Sequence, residues 1–159
     1  MIAIRSIQKV DNDQISALIR SVLIEHNVPK VGTAYADTSL DCMFETYSIP
    51  RSRYFVVEND GKIIGGAGIS LLENELETIC ELQKMYFLPE ARGVGIGSDM
   101  MKQCLAFAQS VGFKKCYLET MPNMHAAQKL YLKFGFHYID EPMGCTGHTS
   151  CPVWMLKEL

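Results

Sequence analysis

From Glu81 to Val111 an apolar strand pattern runs into Pro89-Glu90-Ala91-Arg92-Gly93-Val94-Gly95-Ile96-Gly97, and an apolar-periodic helix follows directly. Glycines let backbone approach a ligand and accept positive φ, and a helix start leaves up to four amide donors without internal partners. With the helix dipole, those donors favour an anion, phosphate above all. Ile96, Met100, Cys104, Leu105, Ala108 and Val111 recur at helical spacing, so one side of the helix faces a core and anchors the loop.

Three kinds of phosphate loop compete for this stretch, and residues exclude two. A P-loop closes with Gly-Lys-Ser/Thr, whereas Gly97 is followed by Ser98 with no lysine. A dinucleotide fingerprint needs Gly-x-Gly-x-x-Gly, whereas Gly93, Gly95 and Gly97 each stand two apart. The remaining pattern, Arg-x-x-Gly-x-Gly on Arg92, Gly95 and Gly97, resembles the pyrophosphate loop of the GNAT superfamily of N-acetyltransferases. Downstream, Ala127-Gln128-Lys129-Leu130-Tyr131-Leu132-Lys133-Phe134-Gly135-Phe136 resembles that family's Ala-x-x-Leu-Tyr-x-x-x-Gly-Phe motif. The resemblance is carried by residues 53 to 139 and reaches both ends of the chain only through the order of elements.

The other elements follow from periodicity. Ile2 to Ile7 alternates as a strand, and Asp11 or Asn12 can cap a helix bearing Ile15, Leu18, Ile19, Val22 and Leu23, which ends near His26-Asn27. A short helical pattern runs through Leu40, Met43, Phe44 and Tyr47 before Pro50. Strands at 54–57 and 62–67 flank Asn59-Asp60-Gly61, a hairpin signal. Strands at 78–88 and 114–119, a helix at 123–134, and strands at 136–139 and 153–157 complete the chain. The expected fold is a GNAT-type α/β domain: a mixed, mostly antiparallel sheet of six to seven strands flanked by about four helices, in a single domain over 1–159. In that fold the strands near Leu88 and Lys114 splay, and the resemblance implies that pantetheine lies between them.

A chain of 159 residues with 48% hydrophobic content can bury one continuous core without staples, so the six cysteines read as reduced thiols. Net charge −3 leaves no basic footprint for nucleic acid or an anionic membrane. The opening Met1-Ile2-Ala3-Ile4-Arg5 reads as a strand rather than a signal peptide, and a cytoplasmic location is expected. Cys145, His148 and Cys151 offer three zinc ligands, but structural zinc wants four with a paired knuckle, so no metal is expected.

The resemblance implies acetyl-CoA as co-substrate, with its pyrophosphate on Arg92, Gly93, Val94, Gly95, Ile96, Gly97 and Ser98. It places Met85 and Phe87 where backbone pairs with pantetheine. Tyr131 matches the position that protonates the departing thiolate, a core tyrosine being the other reading. Glu81, eleven residues before Arg92, resembles the general base of the histone-modifying branch, and a charged residue at a wet strand end is equally open. Glu119 is a second candidate base. Asn123 stands one residue from the family's asparagine and either caps the helix or reaches the pantetheine.

The acceptor should be walled by residues 27–52 and 143–151, with Tyr35, Phe44 and His148 as binding residues and Asp37, Asp41, Glu45, Ser150, Tyr47 and Trp154 nearby. That mixture suits a small amine with a polar tail. The expected activity is acetyl transfer to a small primary amine by direct attack in a ternary complex. A CoA-binding module without turnover and a peptide or protein acetyltransferase are the alternatives. Neither nucleic acid nor membrane is expected as a partner, and a homodimer stays open.

Overall fold

The computed structural model describes residues 1–159. Alternating apolar residues build seven strands: β1 (Ile2–Ser6), β2 (Arg53–Asn59), β3 (Lys62–Leu71), β4 (Ile79–Phe87), β5 (Lys115–Thr120), β6 (His137–Ile139) and β7 (Val153–Glu158). They form one sheet in the order β1-β2-β3-β4-β5-β7-β6. Only β4 and β5 run parallel; every other pair is antiparallel. The turn between β2 and β3 holds Asp60 at φ 49° and Gly61 at φ 86°, the two positive φ values of a tight hairpin, as the Asp-Gly pair foretold.

The helices are α1 (Asn12–Glu25), α2 (Met43–Thr46), α3 (Ile96–Ser110) and α4 (His125–Lys133). Period-two alternation along β2 divides the core between the two sheet faces. Phe55 and Val57 pack with Met100, Cys104 and Leu105 of α3 and with Tyr131 of α4. Tyr54 and Val56 pack with Ile15, Ile19 and Leu23 of α1 and with Met43 of α2. The helical pattern expected around residues 40–47 is mostly tight 3₁₀ turns, with α2 a single turn. Helix α4 starts at His125 rather than Asn123, because Pro122 and Asn123 lie in the turn that leaves β5.

Two irregularities position everything that follows. First, β4 and β5 pair only at Ile79↔Lys115, Cys80↔Cys116 and Glu81↔Tyr117. Beyond Glu81, β4 continues to Phe87 along β3 while β5 continues to Thr120 along β7, so the strands part and leave an open edge on each. Second, β4 carries a bulge. Gly68 pairs with Gln83 but Gly66 pairs with Tyr86, so Lys84 and Met85 together oppose Ala67. Lys84 absorbs the extra residue with φ 49°. The alternation flips there: Leu82 and Met85 both face the α3 side, while Tyr86 faces the α1 side.

Tyr54 holds the bulge, its hydroxyl donating to the Lys84 carbonyl at 2.7 Å. The ring can lie there because residue 66 is glycine: a Cβ on Gly66 would stand 2.6 Å from Tyr54 Cε1. Tyr54 is fully buried and cannot swing away. Gly66→Ala is therefore expected to destabilise the fold by about 1–3 kcal/mol, the usual scale of overpacking, as measured by urea denaturation.

Candidate active site

Where β4 and β5 part, a cleft of about 510 Å³ opens. Its walls are β4 from Glu81 to Phe87, the loop 91–98, the end of β5, the start of α4, the C-terminal end of α1, and residues 148 and 151.

At one end lies the glycine loop. Gly93 and Gly95 adopt φ of 73° and 87°, with nothing within 4 Å of the Cβ positions, so the conformation rather than space selects glycine. Gly97 is different: a Cβ there would meet Leu130 Cδ2 at 3.3 Å, so its smallness lets α3 approach α4. The first helical bond runs from the Asp99 amide to the Gly95 carbonyl at 3.1 Å, which leaves the amides of Ile96, Gly97 and Ser98 available. Free amides on a 15-residue helix, beside a cleft, are the donor set a pyrophosphate needs. Ser98 Oγ also accepts from Lys133 Nζ at 3.2 Å, which brings a cation to the same rim. The Arg92 guanidinium is engaged elsewhere, donating to both Glu25 carboxylate oxygens at 2.7 and 2.9 Å and to the Phe87 carbonyl at 3.0 and 2.8 Å. Arg92 thus braces the loop against α1 and β4, and the donors left open at the loop are backbone amides.

Met85 and Phe87 line the middle of the cleft with their side chains packed into the α3-side core, so it is their strand's open edge that remains for an extended ligand. Asn123 lines the cleft too, but its Nδ2 donates to the His26 carbonyl at 2.7 Å. It does not cap α4, whose capping position is Met124; it joins the ends of α1 and α4 across the cleft mouth.

Glu81 sits at the fork of the two strands, 6% exposed. Burial, with the nearby Glu119 charge, pushes its carboxyl up to about 7 against the opposing hydrogen bond from Gln83. That bond runs from Gln83 Nε2 to Glu81 Oε1 at 2.6 Å, and Tyr47 Oη in turn donates to Gln83 Oε1 at 2.6 Å. The carboxylate is therefore held in one orientation by a fixed amide. Glu119 is occupied, accepting from Tyr117 Oη at 2.6 Å and from the Thr146 hydroxyl. Tyr131 is almost fully buried, stacks edge-on with Phe136 at 5.9 Å and lines the cleft. Burial raises its pKa, so the phenol keeps its proton at neutral pH.

The expected acceptor residues separate. His148 lines the cleft. Tyr35 and Phe44 do not; they pack against the α1-side core, Tyr35 beneath the cations of Arg20 and Lys30, and Thr33 and Ala34 face the cleft in their place. His148 Nε2 lies 2.8 Å from Asp37 Oδ2, the same oxygen that Lys84 Nζ approaches at 3.3 Å. Burial alone would lower the His148 pKa, but the hydrogen bond and charge of Asp37 outweigh it and the pKa is raised. Sequence reasoning missed Lys84 and Gln83. Simple alternation would put Lys84 on the same face as Leu82; the bulge puts Gln83 and Lys84 side by side on the α1-side face, and no local pattern announces a bulge.

The sequence profile of the Acetyltransferase (GNAT) family matches residues 19–136. The Escherichia coli (strain K12) protein YjgM, an uncharacterized N-acetyltransferase, is 44% identical over 150 residues, covering 94% of this chain and 90% of its own. A GNAT-family acetyltransferase from Staphylococcus aureus Mu50 superposes with a TM-score of 0.88 at 19% identity, over 100% of this chain and 99% of that one. A GNAT phosphinothricin acetyltransferase from Sinorhizobium meliloti, solved in complex with acetyl-CoA, does so at 0.79 with 22% identity, over 99% and 88%. The seven-stranded sheet with its parted β4 and β5, the amide-rich loop and this match across most of its length make the chain a member of the GNAT family, an N-acetyltransferase with acetyl-CoA as its co-substrate.

Proposed function

We propose that the protein moves the acetyl group of acetyl-CoA directly to the primary amine of a small molecule, both substrates being bound together. The observation that carries this reading is the single cleft in which a backbone anion site, an open strand edge, a buried carboxylate and a buried phenol follow one another. Support for a small acceptor comes from the roof. The Ser150 amide donates to the Gly32 carbonyl at 2.9 Å, Ser150 Oγ donates to the Val31 carbonyl at 3.1 Å, and His148 meets Asp37, so the two acceptor loops are stitched together where a peptide would need a groove.

In this reading an alkylammonium, pKa near 10 in water, must lose a proton before it can attack. Glu81, poised at about 7, is a base of suitable strength, and the Gln83 amide and Tyr47 hydroxyl keep it aimed. The amine nitrogen attacks the thioester carbonyl carbon, the C–N bond forms, and the C–S bond breaks. The departing thiolate takes the proton of Tyr131, and the attacking nitrogen, cationic once the C–N bond has formed, releases its second proton, which restores the phenol. A main-chain amide on the open edge of β4 would steady the developing oxyanion. Cys151, the thiol on the cleft wall, is a poor nucleophile because burial and then the charges of Glu119, Asp37 and Glu81 push it up to about 12, which supports direct transfer over a covalent enzyme intermediate. Initial-velocity patterns test this: intersecting lines are expected, and parallel lines would establish the covalent route.

Because the unprotonated carboxylate is the active form, kcat/KM should rise with pH through about 7. Glu81→Gln should abolish that ionisation and lower kcat by about 10²-fold or more in the pH-rate profile. Tyr131→Phe should lower kcat with little change in acetyl-CoA affinity by calorimetry; equal loss of both would make the hydroxyl a cofactor contact. Gly95→Val, forced to φ 87°, should weaken acetyl-CoA at least about tenfold, or 1.4 kcal/mol, in the same titration.

A further inference from the structure

We propose that Lys84, with His148, forms a subsite for a carboxylate on the acceptor, so that the small amine acetylated here is an amino acid or a close amino-carboxylate. The inference rests on the reading of this cleft as an amine site and adds which amines it takes.

The argument begins with charge. Lys84 lies on the bulge of β4, lines the cleft, and its side chain is only 8% exposed. Its ammonium has three donors and one salt-bridge partner, Asp37 Oδ2 at 3.3 Å, with the Glu81 carboxylate three residues along the strand acting on it through space. That same oxygen is also the partner of His148 Nε2 at 2.8 Å. One carboxylate oxygen therefore serves both Lys84 and His148, and Asp37, itself held below the usual carboxylate range by those partners despite its burial, raises the His148 pKa in turn. Lys84 therefore keeps donors that no acceptor fills at hydrogen-bond distance, in a place where an unfilled donor is costly.

The opposite balance holds at the strand fork. Glu81 and Glu119 line the same cleft, and Glu119 is satisfied by hydroxyls alone, with no cation at hydrogen-bond distance. Lys84 donors along β4 from the Glu81 and Glu119 carboxylates at the strand fork are complementary to a zwitterion: an ammonium that gives its proton to Glu81, and an anion at the Lys84 and His148 end. A plain alkylamine would leave the Lys84 donors unfilled. A dianionic phosphate would bring too much negative charge beside Asp37 and Glu81.

The bulge makes this a built feature. Gln83 and Lys84 are consecutive yet share a face, so one strand supplies both the amide that aims the base and the cation that would receive the carboxylate. The Tyr54 bond to the Lys84 carbonyl holds the backbone of that residue still.

The test is a panel of common L-amino acids and a series from glycine to 4-aminobutyrate, each beside its carboxamide, followed by thiol release from acetyl-CoA. The preferred acids should exceed their amides in kcat/KM by on the order of 30-fold, the scale of one charge-assisted hydrogen bond. Lys84→Met should collapse that ratio toward one by raising KM for the acids, with the acetyl-CoA KM held. Should Lys84→Met fail to fold with Asp37 left short of a cation, the paired change Lys84→Gln with Asp37→Asn removes both charges and carries the same expectation. Amides used as well as acids, or an unchanged ratio in a folded variant, would overturn the carboxylate subsite while leaving acetyl transfer intact. If no amine in either series is acetylated, small-amine transfer falls, and calorimetric titration of the acids onto the CoA-saturated protein judges the subsite alone. Binding lost in the Lys84 variant would uphold it, and no binding of any acid would overturn it.

Discussion

Two parallel strands that share three residue pairs and then diverge are an unusual thing for a sheet to contain, because divergence leaves backbone donors and acceptors without partners. The sheet sustains it because each strand has a partner along its other side: β4 pairs with β3, apart from the bulge, and β5 with β7. The unpaired edges then face a cleft in place of a neighbouring strand, and an extended co-substrate can supply the missing ladder. Glu81 owes its place to the same event. It is the last residue of β4 that still pairs with β5, so it is buried by the sheet and yet stands at the mouth of the gap.

The bulge at Lys84 is the second dependency. It reverses which side of the sheet β4 presents, so that Leu82 and Met85 both serve the α3-side core while Gln83 and Lys84 both face the α1 side. A regular strand offers one polar side chain to a cleft in every two residues; here two arrive in succession. The cost of a non-glycine residue at φ 49° is offset by Tyr54, whose hydroxyl bonds to the carbonyl at the bulge and whose ring occupies the room left by Gly66 and Gly68.

Helix α1 ties the two ends of the cleft together. Glu25 at its end grips Arg92, and the His26 carbonyl receives Asn123, so the glycine loop and the start of α4 are both fastened to one element. Charge along the cleft is arranged rather than scattered: one Asp37 oxygen lies between Lys84 and His148, and Glu81 and Glu119 meet at the strand fork. Such groups keep meaningful interaction energies only because the loops that close over them limit the water around them.

Features governed by near neighbours were legible in the sequence. Hydrophobic period marked the seven strands and the amphipathic helices, Asp60-Gly61 marked the hairpin, and Gly93 and Gly95 marked a turn needing positive φ before a helix start. The helix through Tyr131 likewise followed from the spacing of Ala127, Leu130, Tyr131 and Phe134, while the motif that ends at Phe136 was identified by its resemblance to the family's. Tertiary structure alone decided which side chains meet. Arg92 turned to Glu25, 67 positions away, and His148 to Asp37, 111 positions away. Tyr35 and Phe44 went to the core instead of the cleft, and Lys84 crossed to the α1-side face. The physical reason is that period and turn chemistry are properties of a few adjacent residues, whereas a bulge, a strand divergence and a shared carboxylate are set by registers between segments far apart in the chain, where small differences in packing choose among locally equivalent arrangements.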